Sequence, residues 1–255
     1  MTGWLKRLVS RTTLGLHLFR RRALLKKLSR FRGKHAGRKF LIIGNGPSVN
    51  LGDLARFDDF VCIACNRFHL CYDDTDFRPD YVLAIDEQMT ADFGSQIHQQ
   101  SECVVFSSDP LLAGQYPNGE FVMLYDKYDF TFRGRQFDQH VHSGGSVVVC
   151  GVQLACFMGA GEIYLYGVDH SFSISADSVA AGERVKGDGN HFIDNYRDGR
   201  AWYPPNIPLI EASVLECRKA LDRKGVPFIN LTPGSRLPHV EQADLESIGN
   251  KNHEQ

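Results

Sequence analysis

No stretch of this 255-residue sequence approaches the roughly 20 successive apolar residues that a bilayer-spanning helix requires. The amino end also lacks the unbroken apolar segment and small-residue cleavage site of a secretory signal, so a cytoplasmic location is expected. Disulfide and zinc frameworks are missing too. The seven cysteines are an odd number, and Cys62, Cys65, Cys103, Cys150 and Cys156 fall within apolar stretches, as buried thiols of a reducing compartment do. Cys62 and Cys65 form a CxxC, but no second pair follows at zinc spacing, and on a strand the two side chains would point to opposite faces.

Acidic residues are absent from the first 39 positions, which hold thirteen Lys or Arg. The remainder carries sixteen basic against thirty acidic residues, a formal −14 concealed beneath an overall −1. A basic arm is joined to an acidic body. Trp4, Leu5, Leu8, Val9, Leu14, Leu16, Leu18 and Phe19, then Leu24, Leu25, Leu28 and Phe31, recur at helical intervals among the cations, with an interruption near Gly15. That pattern suits an amphipathic helix lying in the plane of an anionic membrane, where each cation near the surface contributes about 1 kcal/mol. A helix docked on an acidic protein partner is the alternative. Nucleic acid is disfavoured, because the body is acidic and contains no recognised nucleic-acid module. Residues 1–37 are therefore expected to be a membrane-associating arm, peripheral on the inner membrane face, and 38–255 a nucleotide-binding catalytic domain.

Hydrophobic content of 43% and charged content of 23% are ordinary for a globular protein. Short runs of β-formers at Lys39 to Ile43, Phe60 to Cys65, Tyr81 to Ile85, Cys103 to Ser107, Glu120 to Leu124, Glu162 to Tyr166 and Val226 to Leu231 read as strands. Helices are expected after Pro47, over Gly145 to Met158, and from about Leu209 to Lys224. Strands alternating with helices predict an α/β fold, a Rossmann-like and mostly parallel sheet covered on both faces. Between Ser171 and Pro208 periodicity fades and Gly, Asp and Asn accumulate, the composition of a lid or binding segment, placed at about 171–207.

Ligands of such sheets bind beyond the carboxyl ends of the strands, and the informative residues fall there. Gly44-Asn45-Gly46-Pro47-Ser48 follows the first strand and offers close backbone approach to a phosphate at a helix entry. It is neither a P-loop nor a full GxGxxG, since Val49 stands at the third glycine and Asn66 where an acidic residue would follow. Asn66 and Arg67 follow the second strand, and Asp86 the third. Ser143-Gly144-Gly145-Ser146 forms a second glycine-rich helix entry, suited either to a phosphate or base or to helix capping by Ser143 or Ser146. Asp169-His170-Ser171 ends a further strand, and His191 lies in the lid segment, where an imidazole is the natural base for a sugar hydroxyl near neutral pH. His140 and His142 alternate on one face without a carboxylate at ligand spacing, so no metal site is expected.

Leu41 to Ser48, Cys65-Asn66-Arg67-Phe68, Arg78 to Asp86, Ser143-Gly144, Glu162 to Asp169 and Asn190-His191-Phe192 together resemble the MptE-like family, formerly a domain of unknown function, and the bacterial CMP-sialic acid-dependent sialyltransferases of the Campylobacter lipooligosaccharide type. The resemblance covers roughly Lys39 to Leu231. Its sialyltransferase side implies metal-independent, inverting transfer from a CMP-linked acidic sugar to a cell-surface glycan or glycolipid, as in polysaccharide or lipopolysaccharide biosynthesis, with no cofactor. It implies Asn45 and Ser48 on donor phosphate or ribose, Asn66 on the nucleotide, Ser143 and Gly144 on the cytidine side, and His191 as base. Those enzymes place tyrosine hydroxyls on the leaving phosphate. Tyr164 is retained near that match, whereas His170 and Ser171 replace an aromatic pair, which passes phosphate stabilisation to His170 and leaves Kdo or another sugar open. The diphosphokinase side of the family implies ATP, Mg²⁺ and a pterin, with Asp86 and Asp169 as metal-binding carboxylates. A non-catalytic nucleotide-binding scaffold is the third reading.

Overall fold

Lys39-Phe40-Leu41-Ile42-Ile43 forms the first strand because every side chain after the lysine finds apolar cover on one face or the other. In this computed structural model, which describes residues 22–125, 130–172, 184 and 190–252, that strand lies near the middle of one eight-stranded sheet. The strands are β1 (Lys39–Ile43), β2 (Val61–Cys65), β3 (Tyr81–Ala84), β4 (Val104–Ser107), β5 (Gly119–Phe121), β6 (Glu162–Tyr166), β7 (Phe228–Asn230) and β8 (Glu241–Gln242). All seven pairings are parallel, in the order β5-β4-β3-β2-β1-β6-β7-β8. Parallel sheets need both faces covered, which is why their strands read as unbroken apolar runs.

Helices α1 (22–28), α2 (Glu87–Gln100), α3 (Pro110–Gln115), α4 (Val147–Met158) and α5 (Ile207–Asp222) supply much of that cover. Phe40 and Ile42 point to the face packed by α4, α5 and α1. Leu41 and Ile43 point to the opposite face, against Met89, Phe93 and Ile97 of α2 and Leu54 and Phe57 of a 3-10 turn. Cys62 and Cys65 divide between the two faces, and all seven thiols are free.

Three elements depart from expectation. The helix foreseen directly after Pro47 does not form. Ser48 is tied to another loop, and the chain becomes helical only at Leu51–Phe57, as a 3-10 segment whose N-cap Asn50 accepts from the Gly52 amide. The strand expected over Glu120 to Leu124 ends at Phe121, with Leu124 making a single parallel bridge to Val141. The second half of the basic arm belongs to the body rather than to a separate unit. Leu28 and Phe31 are fully buried, Phe31 meets Phe106 edge-on at 5.0 Å, Arg30 pairs with Glu120, and Arg32 pairs with Asp138 at 2.7 Å. Residues 1–21, with the expected amphipathic face from Trp4 to Phe19, lie outside the described residues. Among those described, no helix is long and apolar enough to cross a membrane.

The topology places the site. From β1 the chain builds outward through β2 to β5 on one side, then returns to build β6 to β8 on the other. The crevice beyond the carboxyl ends of β1 and β6 is the switch point where such sheets bind ligands.

Behind β2, His69 is buried, and neither ring nitrogen has a hydrogen-bond partner among the described residues. Burial, reinforced by Arg67, lowers its pKa from 6.5 to about 4. The unfolded chain therefore takes up this proton first as pH falls, so stability is full above 6.5 and declines toward 4. Between pH 7 and pH 5 the loss should be on the order of 2 kcal/mol, read from urea midpoints. His69→Leu should remove most of that slope; an unchanged slope would assign it to other groups.

Candidate active site in the sheet crevice

Two loops meet over the crevice at distances that exclude side chains. The Gly44 amide donates to the Tyr166 carbonyl at 2.8 Å, and the Gly46 amide to that of Gly167 at 2.9 Å. Ser48 closes the junction, donating its amide (3.2 Å) and its hydroxyl (2.8 Å) to the Asp169 carboxylate. A Cβ at Gly44 would lie 2.2 Å from the Gly167 carbonyl oxygen, and one at Gly46 only 1.8 Å from the Asp169 carboxylate. Gly167 itself has φ +70°. The partner loop requires glycine at these positions.

The junction aims Asn45 into a cavity of about 190 Å³ that also meets Asn66, Asp169, His170, His191 and the first turn of α4. The Asn45 side-chain amide donates to the Cys65 carbonyl at 2.8 Å and to the Tyr196 hydroxyl at 3.1 Å. Because a backbone carbonyl can only accept, this orientation is fixed, and Oδ1 is left buried without a partner among the described residues. Asn66, held at φ +52° with its amide on the Leu83 carbonyl, likewise has an unpartnered buried Oδ1. Tyr196 is the hub. It is fully buried, which raises its phenol pKa, and its ring stacks on that of His191 with centroids 3.8 Å apart at 14°. The Phe192 amide donates to the Asn45 carbonyl at 3.0 Å, and Arg197 and Arg200 bind Asp92 of α2, so the 190–200 segment is seated on both the loop after β1 and α2.

His191 also borders a second cavity of about 360 Å³, which shares Asp86, Gly145 and Tyr203 with a third of about 730 Å³ that Ser143 lines. One groove thus links the expected residues Asn45, Asn66, Asp86, Ser143, Gly145, Asp169, His170 and His191. Ser146 is the N-cap of α4, accepting from the Val148 amide at 3.2 Å, while Ser143 Oγ accepts from Gly145. Gly144, at φ +59°, gives close approach to Ser213 of α5. Asp86 caps α2 through the Met89 amide, and His170, at φ +53°, is fixed by Glu211 at 3.0 Å. Pro47 lines the inner cavity.

Four expected residues do not line this groove: Ser48 and Gly144, which serve the loop contacts above, and Tyr164 and Arg67. The Tyr164 hydroxyl is bound by Glu162, the first residue of β6, at the opposite edge of the sheet, and its ring packs on Phe60. The Arg67 guanidinium turns beneath the site, over Phe93 at 3.8 Å and onto Gln96 and the Tyr196 carbonyl. It supports the segment bearing His191 instead of facing the cavity. Tyr196 was not anticipated at all. Among the described residues, no group of three or more His, Cys, Asp or Glu converges as a metal site.

A family model described as 6-hydroxymethylpterin diphosphokinase MptE-like matches residues 17–175, which contain both loops of the junction. The chain belongs to the MptE-like family. Among solved structures, this MptE-like chain is similar to the MAf glycosyltransferase from Magnetospirillum magneticum AMB-1, at 15% identity and a TM-score of 0.52, with 97% of this chain and 43% of that one covered. It thus spans less than half of that protein's length, and the likeness is one of fold. Two structures of the sialyltransferase CstII from Campylobacter jejuni, with CMP and with CMP-3FNeuAc, align at 18% and 19% identity and TM-scores of 0.49 and 0.45, over 82% of this chain and 86% and 87% of theirs. No curated protein matches.

Gly46→Ala tests the junction of the MptE-like chain. Its methyl group must displace Asp169, so a loss of about 1–3 kcal/mol is expected in chemical denaturation. Wild-type stability would show that the loops separate freely.

Proposed function

We propose that this MptE-like protein transfers a glycosyl group from a nucleotide-linked donor to a hydroxyl acceptor, with His191 as general base. The observation that carries the reading is the His191 imidazole, stacked on a buried phenol where the inner and middle parts of the groove meet. In the proposed step the acceptor oxygen attacks the anomeric carbon as the bond from that carbon to the donor phosphate breaks. The hydroxyl proton passes to His191, and the nucleotide leaves with the bonding electrons, which inverts the anomeric centre.

The polarity of the groove assigns the donor's parts. The Asn45 amide is spent on Cys65 and Tyr196, which leaves its carbonyl oxygen for a ribose hydroxyl or an exocyclic base amine rather than a phosphate. Ser48 is committed to Asp169. The phosphate is therefore assigned to the amino end of α4, where the first-turn amides of Val147 and Val149 lack an intrahelical partner, with His170 beside it. The fold likeness to a glycosyltransferase agrees with this reading, and a CMP-linked acidic sugar remains the donor that the sequence resemblance implies. The arm's cations support an anionic membrane surface and a glycan or glycolipid acceptor. Ala23, Leu24 and Lys27 of α1 border Glu87 and Ser108, so the chain enters the described body at the same sheet edge as the crevice.

The family description favours a second reading, ATP-dependent diphosphoryl transfer with Mg²⁺ on Asp86 and Asp169. Both line the groove; Asp169 accepts from Ser48 through both oxygens and Asp86 caps α2, so a bound Mg²⁺ would compete with those hydrogen bonds. Full transferase turnover in EDTA is expected, and its abolition with rescue by Mg²⁺ would favour the kinase. His191→Ala should lower turnover by roughly 100-fold or more while nucleotide affinity, read by thermal shift across CMP, UDP, GDP and ATP, stays within about twofold. Wild-type turnover in that variant removes His191 from the chemistry.

A further inference from the structure

The edge of the sheet remote from the crevice carries a second concavity. α5 starts beside the groove at Ile210 and runs to Asp222, so Arg223 and Lys224 emerge where β7 is about to begin. There they face the loop 132–136 across a cavity of about 460 Å³ bordered by Phe132, Arg133, Arg135, Gln136, Arg223 and Lys224. Among the described residues, four cations and no carboxylate line it, on a body whose sequence beyond residue 39 is formally −14.

Among the described residues these groups have no neutralising partner. The Arg133 backbone amide is fixed by the buried Gln153 side chain at 2.8 Å, and its NH1 by Gln136 at 2.7 Å, while its Nε is shielded from water and unpartnered among the described residues. Lys224 lies over the Phe132 ring at 5.3 Å. Arg32 donates to the Arg135 carbonyl at 2.7 Å, and the nearby Asp138 carboxylate is bidentate to that same Arg32, leaving it no role at the cavity. Like charges gathered without a counter-ion repel one another, and a multivalent anion relieves that repulsion through charge-assisted hydrogen bonds.

We infer that this cavity is a binding site for a phosphate-rich anion, separate from the crevice and independent of the glycosyl-transfer reading. Lipid headgroups and soluble polyphosphates share the required chemistry. The soluble source is the one proposed, because the arm's first 21 residues join the body through Ala23 to Lys27 beside Glu87 and Ser108, not at this cavity.

The test is isothermal titration of the full chain with inorganic tripolyphosphate, with wild type beside Arg223→Gln/Lys224→Gln, whose exposed side chains leave the fold intact, and beside Arg133→Gln. Affinity should fall about tenfold for each cation removed and weaken with added salt, while the thermal shifts given by nucleotides stay as in wild type. No tripolyphosphate binding by wild type, or equal binding by wild type and both variants, overturns the site. Partition onto phosphatidylglycerol vesicles should be the same for wild type and the double variant. A matching loss there would overturn the soluble source and make the ligand a lipid headgroup.

Discussion

The whole reaction edge rests on the closure of the loop after β1 onto the loop after β6. Gly44 and Gly46 approach Gly167 and Asp169 more closely than any side chain permits, and Ser48 locks the contact with two hydrogen bonds to one carboxylate. Further groups are then fixed by it. The Val168 amide reaches Thr232, the Val168 carbonyl accepts from Ser235, and the Arg236 amide donates to the Asp169 carbonyl, which draws the loop after β7 into the same cluster. Tyr166 anchors the outer end of the β1 loop through the Asn50 amide and Asp53. A buried junction of this kind has no freedom to relax, so Asn45 is presented in one orientation and with one polarity.

A second layer of order comes from beneath the groove. Phe93 of α2 is flanked by the guanidinium groups of Arg67, Arg197 and Arg200, and Asp92 balances the last two. Cation–ring contacts out of water are stronger than exposed ones. They clamp the 190–200 segment against the sheet, which would otherwise have only loop contacts to hold it. Catalytic geometry in this reading is therefore a property of α2 as much as of the loops.

The sequence disclosed the sheet well, because strands buried on both faces must be apolar throughout; β1 and β6 were readable to the residue. β8 was not, since Glu241 and Gln242 are exposed and form a strand only by pairing with β7. α2 and α3 were hidden by diluted apolar periodicity, although Asp86 and the Asp109-Pro110 pair are start signals that mark both. For the site, the glycine turns and His191 were locatable, but the reason for the glycines was not, because it lies in a loop more than 120 residues away. Arg67 was drawn into the site by adjacency to Asn66, whose left-handed backbone sends the two side chains in different directions. Tyr196 carried no local signal. Its role arises from a bond to Asn45 across 151 positions, which no periodicity reports.

The near-parallel stacking of His191 on Tyr196 has a stereochemical corollary. One π-face of the imidazole is covered, and its two nitrogens point only within the ring plane. If His191 takes the acceptor proton as proposed, the nucleophile comes in edge-on, along a direction held by the buried Tyr196 ring. Under that proposal the tyrosine, by orienting the imidazole, governs which hydroxyl of a polyol meets it.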